Sequence, residues 1–140
     1  MILYLSTSSL VKLYFDEDHS TIIRRWVSFA EAVATCRFAY PEVAEALSYR
    51  LRVGDITEQT LQSVMNAYAD DWKHLVVTDF DEMEAVNLVG TYGVKKLDAM
   101  HLSAAKMLRS VRDDTEIVFS SADPALVEVA RTEGFMVVEL

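Results

Sequence analysis

Cysteine, proline and glycine are scarce in this chain, with one Cys, two Pro and four Gly among 140 residues. The lone Cys36 excludes an intrachain disulfide, so the fold does not depend on an oxidising compartment. The low Gly and Pro content excludes a collagen-like or linker-rich protein, and a hydrophobic fraction of 51% argues against disorder. No stretch approaches the roughly 20 apolar residues of a membrane span. The opening MILYLSTSSLVKLYF lacks a basic leader and is interrupted by a lysine, which makes it a poor secretory signal. Basic residues are the minority charge, 13 Lys and Arg against 22 Asp and Glu, for a net charge of −9. That sign disfavours nonspecific nucleic-acid binding, unless part of the negative charge gathers around divalent cations. The expectation is a cytoplasmic protein with no membrane association and one domain over residues 1–140. At 15.8 kDa it should fold to roughly 7,300 Å² of surface from about 22,900 Å² unfolded.

What is present is an alternation of short β-branched runs with longer helical ones. Ile2 to Leu5 reads as a buried strand, followed by a helix from Ser8 to Phe15 and a second helix capped by Ser20. Ala32 to Thr35, Leu75 to Thr78, Ile117 to Ser120 and Met136 to Val138 read as further strands. Pro41 opens a helix that Gly54 stops, and Thr57 caps a long helix reaching His74. Its apolar face is Leu61, Val64, Met65, Tyr68 and Trp72. Asp81 and Asp98 begin two more helices, and Pro124 sits in the first turn of the last. The pattern predicts an α/β fold, a three-layer sandwich with a mainly parallel central sheet. The two helices between Pro41 and His74 have no strand between them and should form a projecting hairpin.

In open parallel sheets, ligands bind beyond the carboxyl ends of the strands. That rule nominates Ser6 and Ser8 after the first strand, and Glu42 in a helix first turn after the second. It also nominates Asp98 at a later helix N-terminus, and Ser120, Ser121 and Asp123 after the strand IVF. Three carboxylates on one edge repel one another unless a hard cation neutralises them, and oxygen ligands suit Mg²⁺ or Mn²⁺. Such a site activates water for phosphodiester hydrolysis. An acid in a helix first turn also has a plain structural use, since it meets free N–H groups and the helix dipole.

These residues carry a resemblance. MILYLSTSSLVKLYF, AYPEVAEAL, LDAMHLSAA and VFSSADPALVEVA resemble, in order, four blocks of PIN-domain proteins of the VapC toxin type, and LDAMHLSAA is the most specific of them. The resemblance implies a divalent-metal-dependent endoribonuclease, the toxin of a toxin–antitoxin pair, with RNA as substrate, a VapB-like antitoxin as partner, and a homodimeric state. Carried over by position, it makes Glu42, Asp98 and Asp123 the catalytic acids and metal ligands, with Ser8 and Ser120 orienting carboxylates by hydrogen bonds. One position departs from the family. Ser6 stands where the family has a metal-binding aspartate, and a neutral hydroxyl is a far poorer Mg²⁺ ligand. This departure opens a second reading, a catalytically inactive PIN domain that binds RNA or a protein. It also directs attention to Asp16 and Asp18 in the next loop as substitute ligands.

Other residues are read more plainly. His101, one turn after Asp98, is a packing and hydrogen-bonding position, and Cys36 is a small buried residue with no His placed to activate it. Lys12, Arg50, Arg52, Lys95 and Lys96 are the candidate cations for RNA, and Lys95 and Lys96, next to Asp98 in sequence, are the first choice for a phosphate contact. Asp79 with these lysines is a weak receiver-domain pattern, opposed by Ser6-Thr7 where an acidic pair belongs. The apolar faces between Pro41 and Trp72 exceed what a small sheet covers and point to a symmetric homodimer.

Overall fold

Alternation along the first strand organises the fold, which a computed structural model describes for residues 1–140. Strand β1 (Ile2–Leu5) is buried along its whole length. Ile2 and Tyr4 face one side of the sheet, and Leu3 and Leu5 the other. Five strands, β1, β2 (Ala32–Cys36), β3 (Val76–Thr78), β4 (Ile117–Ser120) and β5 (Met136–Val137), form one sheet in the order β3-β2-β1-β4-β5. Every pairing is parallel, with Ile2 beside both Ala32 and Ile117 and Leu5 beside Ser120.

The helices are α1 (Thr7–Val11), α2 (Ser20–Phe29), α3 (Ala39–Arg52), α4 (Glu58–Trp72), α5 (Glu82–Tyr92), α6 (Lys96–Val111) and α7 (Pro124–Thr132). Residues of α1 to α4 pack with Leu3, Leu5 and Val118, whereas α5 to α7 pack with Ile2, Tyr4, Ile117 and Phe119. Crossovers running toward β3 thus lie on one face and those running toward β5 on the other, as right-handed connections require. The accessible surface is 7613 Å², close to the roughly 7,300 Å² that the mass demands. No helix is long and apolar enough to cross a membrane.

Several boundaries differ from the sequence reading. Helix α1 ends at Val11 rather than Phe15, because side chains capture the carbonyls beyond it. The Arg24 guanidinium donates to the Leu13 and Phe15 carbonyls, and the Ser20 hydroxyl to Phe15 at 2.7 Å. Ser20 is therefore not the cap of α2 but its first residue; His19 precedes it in left-handed backbone with φ 71°. Thr57 and Asp81 cap α4 and α5 as read, each accepting first-turn amides. The hairpin of α3 and α4 lays its apolar face on the sheet and leaves its tip, Arg52 to Asp55, exposed. Its face is consequently covered, which removes the stated reason for a dimer there. Tyr49 and Val53 remain exposed at the outer end of α3, and the other exposed apolar side chains include Met83 and Val86 on α5 and Phe29 on α2.

One buried polar atom in this core lacks a protein partner, the hydroxyl of Tyr68, stacked at 5.0 Å on Tyr40 and edge-on to Trp72. A buried unpaired hydroxyl carries its desolvation cost without return. Tyr68→Phe should therefore raise the unfolding free energy by about 1 kcal/mol in denaturant titration. A loss of that size would mean the hydroxyl is satisfied.

Candidate active site

Strand order reverses its direction of travel between β1 and β4, and the crevice beyond their carboxyl ends is where open α/β sheets bind ligands. The turn Ser6-Thr7-Ser8 leaves β1 there, and Ser121-Ala122-Asp123 leaves β4 beside it. A cavity of about 880 Å³ opens at this edge, lined by Ser6, Thr7, Ser8, Glu42, Asp98 and His101 together with residues of α1 and α3.

Each acid arrives by a different route. Glu42 lies in the first turn of α3 and Asp98 in the first turn of α6, while Asp123 is the N-cap of α7, its Oδ1 accepting the Ala125 amide at 2.9 Å. Asp98 is raised above the usual aspartate range by burial first and by the charge of Asp123 second, although Asp123 is not among the residues that line the cavity. Glu42 is shifted the other way. Burial alone would raise it, but hydrogen bonds from His101 and Thr7 hold it below the usual range. The Thr7 hydroxyl donates to Glu42 Oε1 at 2.5 Å, and His101 Nε2 lies 3.0 Å from Thr7 Oγ1 and 3.2 Å from the same carboxylate oxygen. Behind the ring, the Tyr4 hydroxyl meets His101 Nδ1 at 2.9 Å. The Thr7 backbone amide also donates to His101 Nε2 at 3.3 Å, so this nitrogen sits among the Thr7 amide, the Thr7 hydroxyl and Glu42.

The serines fall differently from expectation. Ser8 Oγ pairs with Ser6 Oγ at 3.0 Å and accepts the Ala122 amide at 3.0 Å, so it fastens the loop after β4 rather than a carboxylate. Ser120 faces α1 and pairs with Ser9 at 2.8 Å, because even positions of β4 and odd positions of β1 share that side of the sheet. Ser121 touches the acid's backbone instead, accepting the Asp123 amide at 3.1 Å. The residue missed by sequence reasoning is Thr7, whose position between two nominated serines was its only signal. Asp16 and Asp18 do not line the cavity: Asp16 pairs with Arg24, and the Asp18 carbonyl accepts from Lys12. Lys95 caps α6 and its charge reaches Asp98, whereas Lys96 lines a separate groove beside α5. Cys36 is buried, and burial pushes its thiol up to about 11, which rules out a resting thiolate.

No three carboxylate, thiol or imidazole groups are gathered tightly enough to enclose a metal ion. Mg²⁺, however, keeps most of its waters and is commonly held by one or two carboxylates plus substrate phosphates. The Asp98–Asp123 pair, with the mutual repulsion that raises Asp98, suits a cation bound in that open manner.

The sequence profile of the PIN domain family matches residues 3–132. The chain belongs to the PIN domain family. Two curated relatives, Ribonuclease VapC45 and Ribonuclease VapC49 from two strains of Mycobacterium tuberculosis, are each 30% identical over 107 residues, 74% of this chain and 74% of theirs. The fold agrees with two crystal structures across nearly the whole PIN domain. FitAcB from Neisseria gonorrhoeae aligns with a TM-score of 0.66 at 14% identity over 99% of this chain and 97% of that one. PAE2754 from Pyrobaculum aerophilum aligns with 0.61 at 18% identity over 99% and 92%. This chain is thus a PIN domain of the VapC type.

The two shifted acids make opposite demands on pH. Asp98, raised in the folded state, binds its proton more tightly folded than unfolded, so its contribution to stability falls as pH rises from its unfolded value through its raised folded one. Glu42, lowered when folded, contributes stability above its unfolded value and loses it as pH falls. Asp98→Asn should accordingly raise Tm in metal-free buffer at pH 7 and bring no gain near pH 3, followed by calorimetry. A lower Tm at pH 7 would show that the Asp98 charge is compensated.

Proposed function

We propose that this PIN domain is a divalent-metal-dependent endoribonuclease, the toxin of a VapBC-type pair restrained by a VapB-like antitoxin. The observation that carries the reading is that Glu42 and Asp98 line the switch-point crevice, with the charge of Asp123 acting on Asp98, in a chain 30% identical to two proteins named ribonucleases. Asp98 and Asp123 would hold Mg²⁺ or Mn²⁺, with the Ser6 hydroxyl as a neutral neighbour. The cation supplies an activated water and neutralises charge on the phosphoryl oxygens. The chain's own residues do the rest. His101 and Thr7 keep Glu42 ionised and fixed, both bonding Oε1, so that Oε2 remains the free acceptor for a proton or a water. Lys95 is the better placed of the two nominated lysines to meet a phosphate, since its charge reaches Asp98.

A second reading has its own support. Ser6 removes one anionic ligand, and a site with only two close carboxylates fits a PIN domain that binds RNA or protein without cutting it. Comparing wild type, Ser6→Asp and Asp98→Asn separates the two, by calorimetric Mn²⁺ titration and cleavage of a fluorescent single-stranded RNA with EDTA controls. Ser6→Asp should strengthen metal binding and speed cleavage on the order of 10–100-fold, and Asp98→Asn should abolish cleavage. Silence from all three would favour the binding module.

The same reading includes a homodimer, on a different surface from the hairpin. On α5, Met83 and Val86 are 75% and 69% exposed and Val89 is exposed beside them. They flank an apolar groove of about 280 Å³ lined by Phe80, Ala85 and Met100. A two-fold axis would set the strip of one copy into the groove of the other. Sedimentation should give a dimer at tens of micromolar and a monomer for Val86→Asp; a wild-type monomer would dispose of the dimer.

A further inference from the structure

The cavity beyond the sheet edge poses an electrostatic problem for any polyanionic strand. Its lining includes five carboxylates, Glu17, Glu42, Glu45, Asp55 and Asp98, and only two permanent cations, Lys12 and Arg50. Both cations are held by one carboxylate. Glu17 Oε1 lies 3.3 Å from Lys12 Nζ and Oε2 lies 2.5 Å from Arg50 Nη2. The contacts are set back from solvent, with the Lys12 side chain 9% exposed and those of Glu17 and Arg50 27% each.

The two cations would stay in place if Glu17 withdrew. The Asp18 carbonyl accepts from Lys12 Nζ at 2.8 Å, and the Arg50 guanidinium lies 4.2 Å above the Phe15 ring. Glu17 itself sits in a short loop between α1 and α2, its carboxylate reaching into the cavity from outside the sheet edge. A carboxylate bridging Lys and Arg occupies the same donors that a phosphate oxygen pair would take. Next to Arg50 on α3, Tyr49 lines the same cavity and is 59% exposed, an aromatic face of the kind on which unpaired bases stack.

We propose that Lys12, Arg50 and Tyr49 form a nucleotide subsite for single-stranded RNA, and that Glu17 occupies it as an internal phosphate substitute. Resting on the reading of the chain as an RNA-acting protein, the subsite grips the strand in the same cavity that Asp98 lines, so that a phosphodiester must displace Glu17 before the chain is held across the acids. The exchange swaps one anion for another on the same donors, so the cavity accepts a phosphate there without adding an unpaired negative charge.

Anisotropy of a fluorescent 2′-O-methyl oligonucleotide, uncleavable and measured in EDTA, isolates this step from catalysis. Glu17→Gln should bind about tenfold tighter at 100 mM salt, and the log–log salt dependence should steepen by about 0.7 for each phosphate gained. Adding Arg50→Gln to Glu17→Gln should return affinity to the wild-type level. Arg50→Gln alone should weaken binding at least threefold, which keeps the test decisive if Glu17→Gln fails to fold by circular dichroism. An unchanged affinity in folded Glu17→Gln, or in Arg50→Gln, overturns the subsite, as does tightening toward a polyglutamate peptide in place of the oligonucleotide. Cleavage of unmodified RNA with Mn²⁺ is scored separately. Cleavage without the binding gain removes the subsite alone, and the binding gain without cleavage removes the nuclease reading alone.

Discussion

The hydrogen bond between Tyr4 and His101 joins the core to the site, and the other contacts at the crevice depend on it. Tyr4 is fully buried at the centre of β1 and stacked on Phe119 at 5.5 Å, so its hydroxyl must find a partner inside the protein. His101 supplies it, and being itself buried must place a second ring nitrogen. That nitrogen faces Thr7 and Glu42, where the chain of donors ends on a carboxylate at the cavity wall. Helices α3 and α6 lie on opposite faces of the sheet, so the Glu42–His101 contact ties the two outer layers together at the carboxyl edge. In a low-dielectric interior such a chain is strong when every member is satisfied, and costly when one is removed. The geometry of the site is therefore inherited from the packing of the central strand.

The distribution of charge follows a consistent division. Several cations serve structure away from the crevice. Lys106 bridges Glu84 and Glu133 to join α5, α6 and the end of α7, Arg131 meets Glu128 and Glu139, and Arg37 meets Asp79. Within the crevice, Glu42 and Glu17 are satisfied by hydrogen bonds or ion pairs and both sit below the usual carboxylate range. Only Asp98 is displaced upward, by burial and by Asp123. The net charge of −9 is thus not spread evenly in its effect: among the crevice acids only Asp98, buried and facing the charge of Asp123, is pushed up. Local electrostatic strain of this kind is a common cost of function.

Much of this was legible before any coordinates. The apolar strands, the caps at Thr57 and Asp81 and the Gly93 stop announced themselves through short-range rules, and those elements stand where read. The strand-end rule placed Ser6, Glu42 and Asp98 on one cavity because it needs only strand direction and order, but Asp123, nominated with them, is not in its lining. It failed on side-chain partners. Nothing local distinguishes Thr7 from its serine neighbours, since its role is fixed by Glu42 and His101, 35 and 94 residues away. Ser8 and Ser120 were assigned to carboxylates by the family resemblance, whereas Ser8 meets Ser6 and the Ala122 amide and Ser120 meets Ser9. The early end of α1 was hidden because Arg24 and Ser20 reach back from the next helix.

Ser6 brings the division between order and charge to a single position. Its hydroxyl reaches Ser8, Ser8 reaches the Ala122 amide and lies 3.5 Å from Ser121, and Ser9 meets Ser120, so neutral hydroxyls fasten the turn after β1 to the loop after β4. An aspartate there, as the VapC-type pattern has it, would add a negative charge beside an Asp98 already displaced by Asp123. The loops would then be held apart by repulsion until a cation bound, making order at the crevice conditional on metal. With serine, the same loops are joined by bonds that ask nothing of a cation. On the proposed reading, Ser6 thus fastens the crevice through neutral hydroxyls at a position where the VapC-type pattern would supply an anionic ligand, so that one side chain sets both the order of these loops and the charge offered to a cation.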